Sequence, residues 1–190
     1  ILRDKDANLL AQKIKRMVNS KIDIIITSGA VSAGKFDYIP SVVRKLSLSN
    51  YFKGVAIRPG KPILFAKIKG KQKAIFGLPG NPISSAACFR FFVYPYLRES
   101  LGAGKEKPIK ALLKNSFSKK FNFTRFVKSR VNTTKNGKLV VEILKGQESF
   151  RIHSFVKSNI WTVLPAGKSK LKKNEIVDCF FHNYSNKIFF

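Results

Sequence analysis

Gly77-Leu78-Pro79-Gly80-Asn81-Pro82 decides how the first half of this sequence is read. Asn81 is a strong helix N-cap, and Pro82 stands at the first helical position, where its missing N–H costs nothing. They open an apolar helix from Ile83 to about Phe92, which Pro95 is expected to kink or end. A plain strand-to-helix turn explains Asn81 and Pro82 but does not need Gly77, Gly80 and Pro79 as well. Glycines at a helix start let backbone approach a ligand where the helix dipole favours negative charge. Upstream, Ile63 to Lys69 and Lys73 to Phe76 read as two strands paired across Gly70, delivering the chain to this turn.

Further upstream the pattern is helix then strand. Asp6 to Asn19 carries Leu9, Leu10, Ile14, Met17 and Val18 at helical spacing. Lys21 to Thr27 contains the β-branched run Ile22, Ile24, Ile25 and Ile26, which predicts a strand buried on both faces of a parallel sheet. The small and hydroxylated residues Thr27, Ser28, Gly29, Ala30, Val31, Ser32, Ala33 and Gly34 follow that strand. Loops beyond the carboxyl ends of parallel strands bind ligands, and this composition suits phosphate. Asp37 comes just after, and on local grounds a carboxylate holding a metal or donor and a helix-capping Asp are both open. Tyr51 to Arg58 reads as one further strand, ending in Arg58-Pro59-Gly60-Lys61-Pro62, where two cations bracket a stiff turn and can face one anion.

Gly102-Ala103-Gly104 breaks the composition, which places domain boundaries at 1–104 and 105–190. Beyond it, Lys110 to Phe117, Phe121 to Asn132 and Lys138 to Leu144 alternate apolar and polar residues as strands do, with Asn136-Gly137 as a hairpin turn. Phe155, Ile160 to Leu164 and Ile176 to Phe181 are further strand candidates, which together predict a small barrel or sandwich.

The net charge of +27 also fits a nucleic-acid binder, but the lysines are scattered along the chain and no aromatic-interleaved RNA motif accompanies them. A solvated basic surface that attracts anionic small molecules is the reading taken, with no nucleic acid and no membrane among the expected partners. Cys88 and Cys179 lack zinc or disulfide spacing, so reduced cytoplasmic thiols are expected. The opening residue is Ile1, which reads as a segment cut from a longer polypeptide.

Taken together, TSGAVSAGKFDY (Thr27 to Tyr38), IRPGKP (Ile57 to Pro62) and GLPGNP (Gly77 to Pro82) resemble the molybdopterin molybdenumtransferase family in order and spacing. Arg3-Asp4-Lys5-Asp6 stands where that family carries an acidic pair. The weaker match of Gln147-Glu148-Ser149, His153-Ser154 and Trp161 to Pro165 extends the likeness. The resemblance implies an α/β fold: an incomplete three-layer molybdopterin-binding domain with a mainly parallel sheet, lacking its first strand and helix, followed by a small all-β C-terminal barrel. It implies insertion of molybdate into adenylylated molybdopterin with release of AMP, the chain being the C-terminal part of the enzyme and inactive alone. A non-catalytic scaffold of the same fold is the alternative.

The same resemblance assigns Asp4, Asp37 and Lys61 to catalysis, with Asp4 and Asp37 also holding Mg²⁺. Thr27, Ser28, Gly29, Ser32, Arg58, Pro79, Gly80, Asn81 and Pro82 are assigned to binding molybdopterin adenylate and molybdate. Arg58 stands where the family has Lys, and Ala30 where it has a second Gly. The implied partners are a second copy of the full-length protein and a molybdopterin adenylyltransferase.

Overall fold

The computed structural model describes residues 7–29 and 38–182, which form two compact units. One comprises residues 1–55 and 60–93, the other 56–59 and 94–190.

In the first unit, helix α1 (Ala7–Val18) buries Ile14 and Val18 and leads into strand β1 (Ile24–Ser28). Helix α2 (Ile39–Arg44), β2 (Leu48–Lys53), β4 (Leu64–Ile68) and β5 (Ala74–Leu78) follow. The sheet order is β1-β5-β4-β2. Ile14 and Val18 of α1, Val42 and Val43 of α2, and Ile25, Leu64, Ala66 and Ile75 of the sheet form one core. On the alternate residues of the strands, Phe65 stacks on Phe52 and meets Phe76 at a tilt, joining β2, β4 and β5.

Two expectations about this sheet are corrected. The sheet is mixed: β1 pairs with β5 in parallel, while β4–β5 and β2–β4 are antiparallel. The expected hairpin across Gly70 is the cause, since a short turn can join only antiparallel neighbours; Gly70 takes φ +70°. Strand β1 is not buried on both faces. It stands at one end of the strand order, so Ile25 is buried but Ile22 and Ile26 are more than two-fifths exposed.

The stretch Tyr51 to Arg58 is two strands instead of one. Gly54, at φ +83°, ends β2, its N–H donating to the Ile63 carbonyl (2.8 Å), and the chain then enters β3 (Ile57–Arg58) of the second unit's sheet.

Helix α3 (Pro82–Cys88) continues into a π-helical turn, Phe89–Val93, and α4 (Tyr94–Ser100). Pro95 therefore neither ends nor breaks the helical run. The wider π turn just before it relieves the clash between the proline ring and the carbonyl four residues back.

The second unit is built on β6 (Ile109–Leu113), β7 (Phe117–Ser118), β8 (Thr124–Thr133), β9 (Leu139–Ile143), β10 (Ile160–Leu164), β11 (Lys170–Leu171) and β12 (Ile176–Phe181). The order β10-β12-β6-β9-β8 closes on itself because β10 also pairs with β8, giving the expected barrel in five strands. Ala111, Leu113, Val127, Val141, Ile160, Leu164, Val177 and Cys179 fill it. The β8–β9 hairpin turns at Asn136-Gly137 as expected, with Gly137 at φ +74°. Phe155 lies in a short helix, α5 (Ile152–Val156), and not in a strand. Its backbone belongs to a crossover that brings β10 in beside the front half of β8, whose rear half is taken by β9.

Candidate functional site

Strands β1 and β5 run side by side in parallel, with Thr27 opposite Gly77 and Ser28 opposite Leu78. The two turns singled out in the sequence therefore leave the same end of the sheet next to each other. The Gly29 N–H donates to the Leu78 carbonyl (3.0 Å). Gly29 itself holds φ +85°, a conformation that suits glycine. Gly80 lies beside it: a Cβ on Gly80 would be 3.4 Å from the Gly29 Cα, in van der Waals contact, whereas one on Gly29 would meet open space, so at Gly29 it is the backbone conformation that calls for glycine.

Asn81 caps α3 as expected. Its Oδ1 accepts from the N–H groups of Ile83 (3.1 Å) and Ser84 (3.2 Å). The Ser85 hydroxyl, which the sequence reading passed over, donates back to the Pro79 carbonyl and clamps the turn onto the first turn of the helix. Pro79 is buried, while Gly80 and Pro82 are exposed and Asn81 is half-buried. Thr27 is half-buried, its hydroxyl 3.5 Å from the Phe76 carbonyl, and Ser28 is exposed. Two loops, a capped helix start and small side chains at the carboxyl ends of adjacent parallel strands form a surface suited to an anionic ligand.

The other assigned cations divide between the units. Arg58 ends β3 and pairs in register with Arg125 of β8, in the barrel unit. Lys61 is exposed in the first unit, in a loop fastened by the Val55 N–H donating to the Lys61 carbonyl (2.9 Å). The Cys88 thiol, buried in α3, donates to the Gly60 carbonyl (3.5 Å). Burial pushes that thiol up to about 12, so it stays protonated at neutral pH and offers no nucleophile. Asp4, Ser32 and Asp37 lie outside the described residues. Among the described residues no group of three or more His, Cys, Asp or Glu is gathered to hold a metal ion. Nor is any helix among them long and apolar enough to cross a membrane.

Residues 1–99 match the family model described as a probable molybdopterin binding domain. The chain belongs to the molybdopterin-binding domain family. Residues 110–180 match a second model, the MoeA C-terminal region (domain IV), which covers the barrel. Molybdopterin molybdenumtransferase of Staphylococcus aureus is 36% identical over 161 residues, covering 83% of this chain and 38% of that protein. The Staphylococcus epidermidis enzyme of that name is 35% identical over 162 residues, again covering 38% of its length. This chain thus spans about two-fifths of the relatives it matches. Among solved structures, a molybdopterin biosynthesis MoeA protein of Pyrococcus horikoshii aligns with a TM-score of 0.68 at 28% identity, over 94% of this chain and 42% of that one. A molybdenum cofactor biosynthesis protein of Pyrococcus furiosus shares the fold at 22% identity and a TM-score of 0.65.

Two polar side chains organise the barrel unit, Lys128, which carried no sequence signal, and Gln147, which stands in the segment resembling the family. Lys128, 1% exposed, sits on β8 and donates from Nζ to the carbonyls of Gly146 (2.7 Å), Glu148 (3.1 Å) and Arg151 (3.1 Å). Burial lowers its pKa, the Glu148 charge opposing that shift. Gln147 binds the Lys128 backbone on both sides, accepting from its N–H (2.9 Å) and donating to its carbonyl (2.8 Å). The loop resembling the family's C-terminal segment is therefore built around Lys128. A lysine in an otherwise alternating strand reads from sequence as solvent-facing, which is why it was overlooked.

Proposed function

We propose that this chain carries the substrate-holding half of a molybdopterin molybdenumtransferase, the enzyme that inserts molybdate into adenylylated molybdopterin and releases AMP. The observation that carries the reading is the meeting of the Thr27-Ser28-Gly29 and Gly77 to Pro82 turns beyond the ends of β1 and β5. Relatives more than a third identical bear that enzyme's name, which supports it.

In this reading the N–H groups of Gly80 and Asn81 and the Ser28 hydroxyl hold the phosphate of molybdopterin adenylate, the Gly29 N–H being taken by the Leu78 carbonyl. Thr27, Ser28, Gly29, Ser32, Pro79, Gly80, Asn81 and Pro82 shape the pocket. Arg58 and Lys61 draw in molybdate, a dianion, by charge. The dithiolene of the substrate supplies the metal's ligands, so the protein contributes proximity and electrostatic stabilisation more than bond chemistry. Mg²⁺ bound by Asp4 and Asp37 would neutralise charge on the adenylate phosphate. The working enzyme is a cytoplasmic homodimer that receives its substrate from a molybdopterin adenylyltransferase. Its domain boundary is placed at 104/105, in the gap between family matches that stop at 99 and resume at 110, whereas the compact units part at 93/94.

The test is AMP release and cofactor formation by the full-length protein given adenylylated molybdopterin, molybdate and Mg²⁺. Turnover that falls at least ~10-fold in Gly80→Val, whose side chain would enter the space beside Gly29, supports the placement of the substrate between the two turns. Absence of turnover in the full-length protein, when the Staphylococcus enzyme turns over in parallel, favours the scaffold reading.

A further inference from the structure

The strand pairings of the barrel bring separate segments to one of its ends. The end of β10 lies opposite the start of β8, Val163 of β10 lies opposite Asp178 of β12, and Ile176 at the start of β12 lies opposite Leu112 near the end of β6. The β7–β8 turn and the loop from Pro165 to Glu175 therefore emerge together. Hydrogen bonds tie the two: the Gly167 N–H donates to the Phe121 carbonyl (2.9 Å) and the Lys119 N–H to the Ser169 carbonyl (2.8 Å). The β7–β11 pairing adds to this, with Ser118 opposite Lys170. No membrane partner is expected from the sequence, where Phe121, Lys170 and Ile176 stand in separate segments; the fold gathers them.

Two large apolar side chains are exposed at this end, Phe121 at 57% and Ile176 at 64%. Single exposed apolar residues are ordinary on a protein surface. The charge around these two sets them apart. Lys120, Lys170, Lys172 and Lys173 are exposed on the same loops. Residues 114–124 and 165–176 contain one carboxylate, Glu175, and it is committed to the Lys168 ammonium (2.5 Å) and the Lys172 N–H (3.0 Å). The other carboxylates of residues 110–182 are engaged as well, Glu142 with Lys114, Glu148 with Arg151 and Asp178 with Lys110. Apolar tips among lysines complement a surface that is anionic outside and apolar within. A single-stranded nucleic acid would stack a base on the Phe121 ring but has no use for an aliphatic Ile176, so the pair favours lipid.

We propose that this end of the barrel, with Phe121 and Ile176 as apolar tips among Lys120, Lys170, Lys172 and Lys173, docks reversibly on an anionic lipid bilayer. The two tips enter the boundary between headgroups and acyl chains, while the lysine stems lie along it and their ammoniums stay with the lipid phosphates. Each lysine near such a surface strengthens binding ~5-fold, so four of them with two shallow tips give attachment that salt can reverse. The surface requires neither the transfer reaction proposed above nor the turns beyond β1 and β5.

The experiment is cosedimentation of the whole chain with phosphatidylcholine vesicles, with and without about one-third phosphatidylserine. Binding is expected with the anionic vesicles only, falling as salt is raised. Phe121→Ala should weaken it at least ~5-fold and leave its salt dependence unchanged. Lys170→Gln combined with Lys172→Gln should weaken it ~25-fold and flatten the salt dependence. The charge-matched control, Lys135→Gln combined with Lys138→Gln, lies on the exposed β8–β9 turn at the other end of β8 and should bind within ~2-fold of wild type, which separates a local surface from the general positive field. Thermal melts followed by Trp161 fluorescence establish which variants are folded, and Phe121→Ala carries the test if the double lysine variant is not. The proposal is overturned by wild-type chain that stays in solution with anionic vesicles, by folded Phe121→Ala that sediments as wild type, or by equal weakening in the Lys135 and Lys138 control. Release by inorganic phosphate at matched ionic strength would also overturn it, assigning the surface to a soluble anion. A single-stranded oligonucleotide that binds with the same dependence on Phe121 while vesicles do not would make it a nucleic-acid surface instead. Because AMP release is not measured, this result and the enzymatic one fail separately.

Discussion

Replacing Lys128 with Met should unfasten the loop from Leu144 to Arg151 and cost the barrel several kcal/mol. The substitution keeps the apolar stem but removes three N–H donors from the carbonyls of Gly146, Glu148 and Arg151. A hydrogen bond from a charged group contributes about 1.5–3 kcal/mol, while each carbonyl keeps a second donor, the Ser154 hydroxyl at Gly146 (2.6 Å) and Arg151 (3.0 Å) and the Arg151 N–H at Glu148 (3.1 Å). Three such losses set an upper bound near ~9 kcal/mol, which two effects reduce. The ammonium no longer has to be desolvated, and the half-buried loop can open to let water reach the freed carbonyls. A net loss of about 2–4 kcal/mol remains, or roughly 5–15 °C in Tm for a chain of this size. Urea unfolding followed by Trp161, the only tryptophan and 1% exposed, reads the change directly. Amide hydrogen exchange should show the lost protection concentrated in the loop. Gln147→Ala, which loses the bonds to the Lys128 backbone and to the Leu144 carbonyl (2.7 Å), should exchange faster in the same segment. A Lys128→Met protein within about 0.5 kcal/mol of wild type, with unchanged exchange, would refute the argument that this lysine is an internal brace.

Asn81→Ala removes the acceptor for two helix N–H groups and should lower stability by about 1 kcal/mol, measured by denaturant midpoint, with Asn81→Asp close to wild type. Gly29→Ala forces a Cβ into φ +85° and should cost about 1 kcal/mol, while Gly80→Ala, with its contact at 3.4 Å, should be milder by thermal melt. Cys88 and Cys179 are buried free thiols, pushed up to about 12 and about 11 from 9.0 by desolvation. Between pH 9 and 11 the unfolded chain has released protons that the folded chain retains, so stability should fall as pH rises through that window. Cys88→Ala should flatten the decline by about 1.4 kcal/mol per pH unit, and a thiol reagent at pH 8 should label neither cysteine before denaturant is added.

Much of the first unit was legible because its signals are local. Ile14, Met17 and Val18 repeat at helical spacing, Gly70 lies between two short strands, and Asn81-Pro82 is a capped helix start whatever surrounds it. The misreadings share one cause, which is that burial depends on neighbours distant in sequence. Ile22 to Ile26 looked like a doubly buried strand, yet β1 stands at one end of the strand order. Tyr51 to Arg58 looked continuous, yet Gly54 lets the chain leave one sheet for another. Phe155 has strand propensity but occupies a helix that the β10 crossover requires.

The candidate site divides in the same way. By itself the sequence determined the two glycine-containing turns, the cap at Asn81 and the family to which their spacing belongs, because turn chemistry is written in consecutive residues. Only the tertiary structure decided that Gly29 meets Gly80, that Arg58 faces Arg125, and that Lys128 is buried. Each is a pairing across strands far apart in the chain, and register, set by the whole pattern of hydrogen bonds, determines which residues become neighbours.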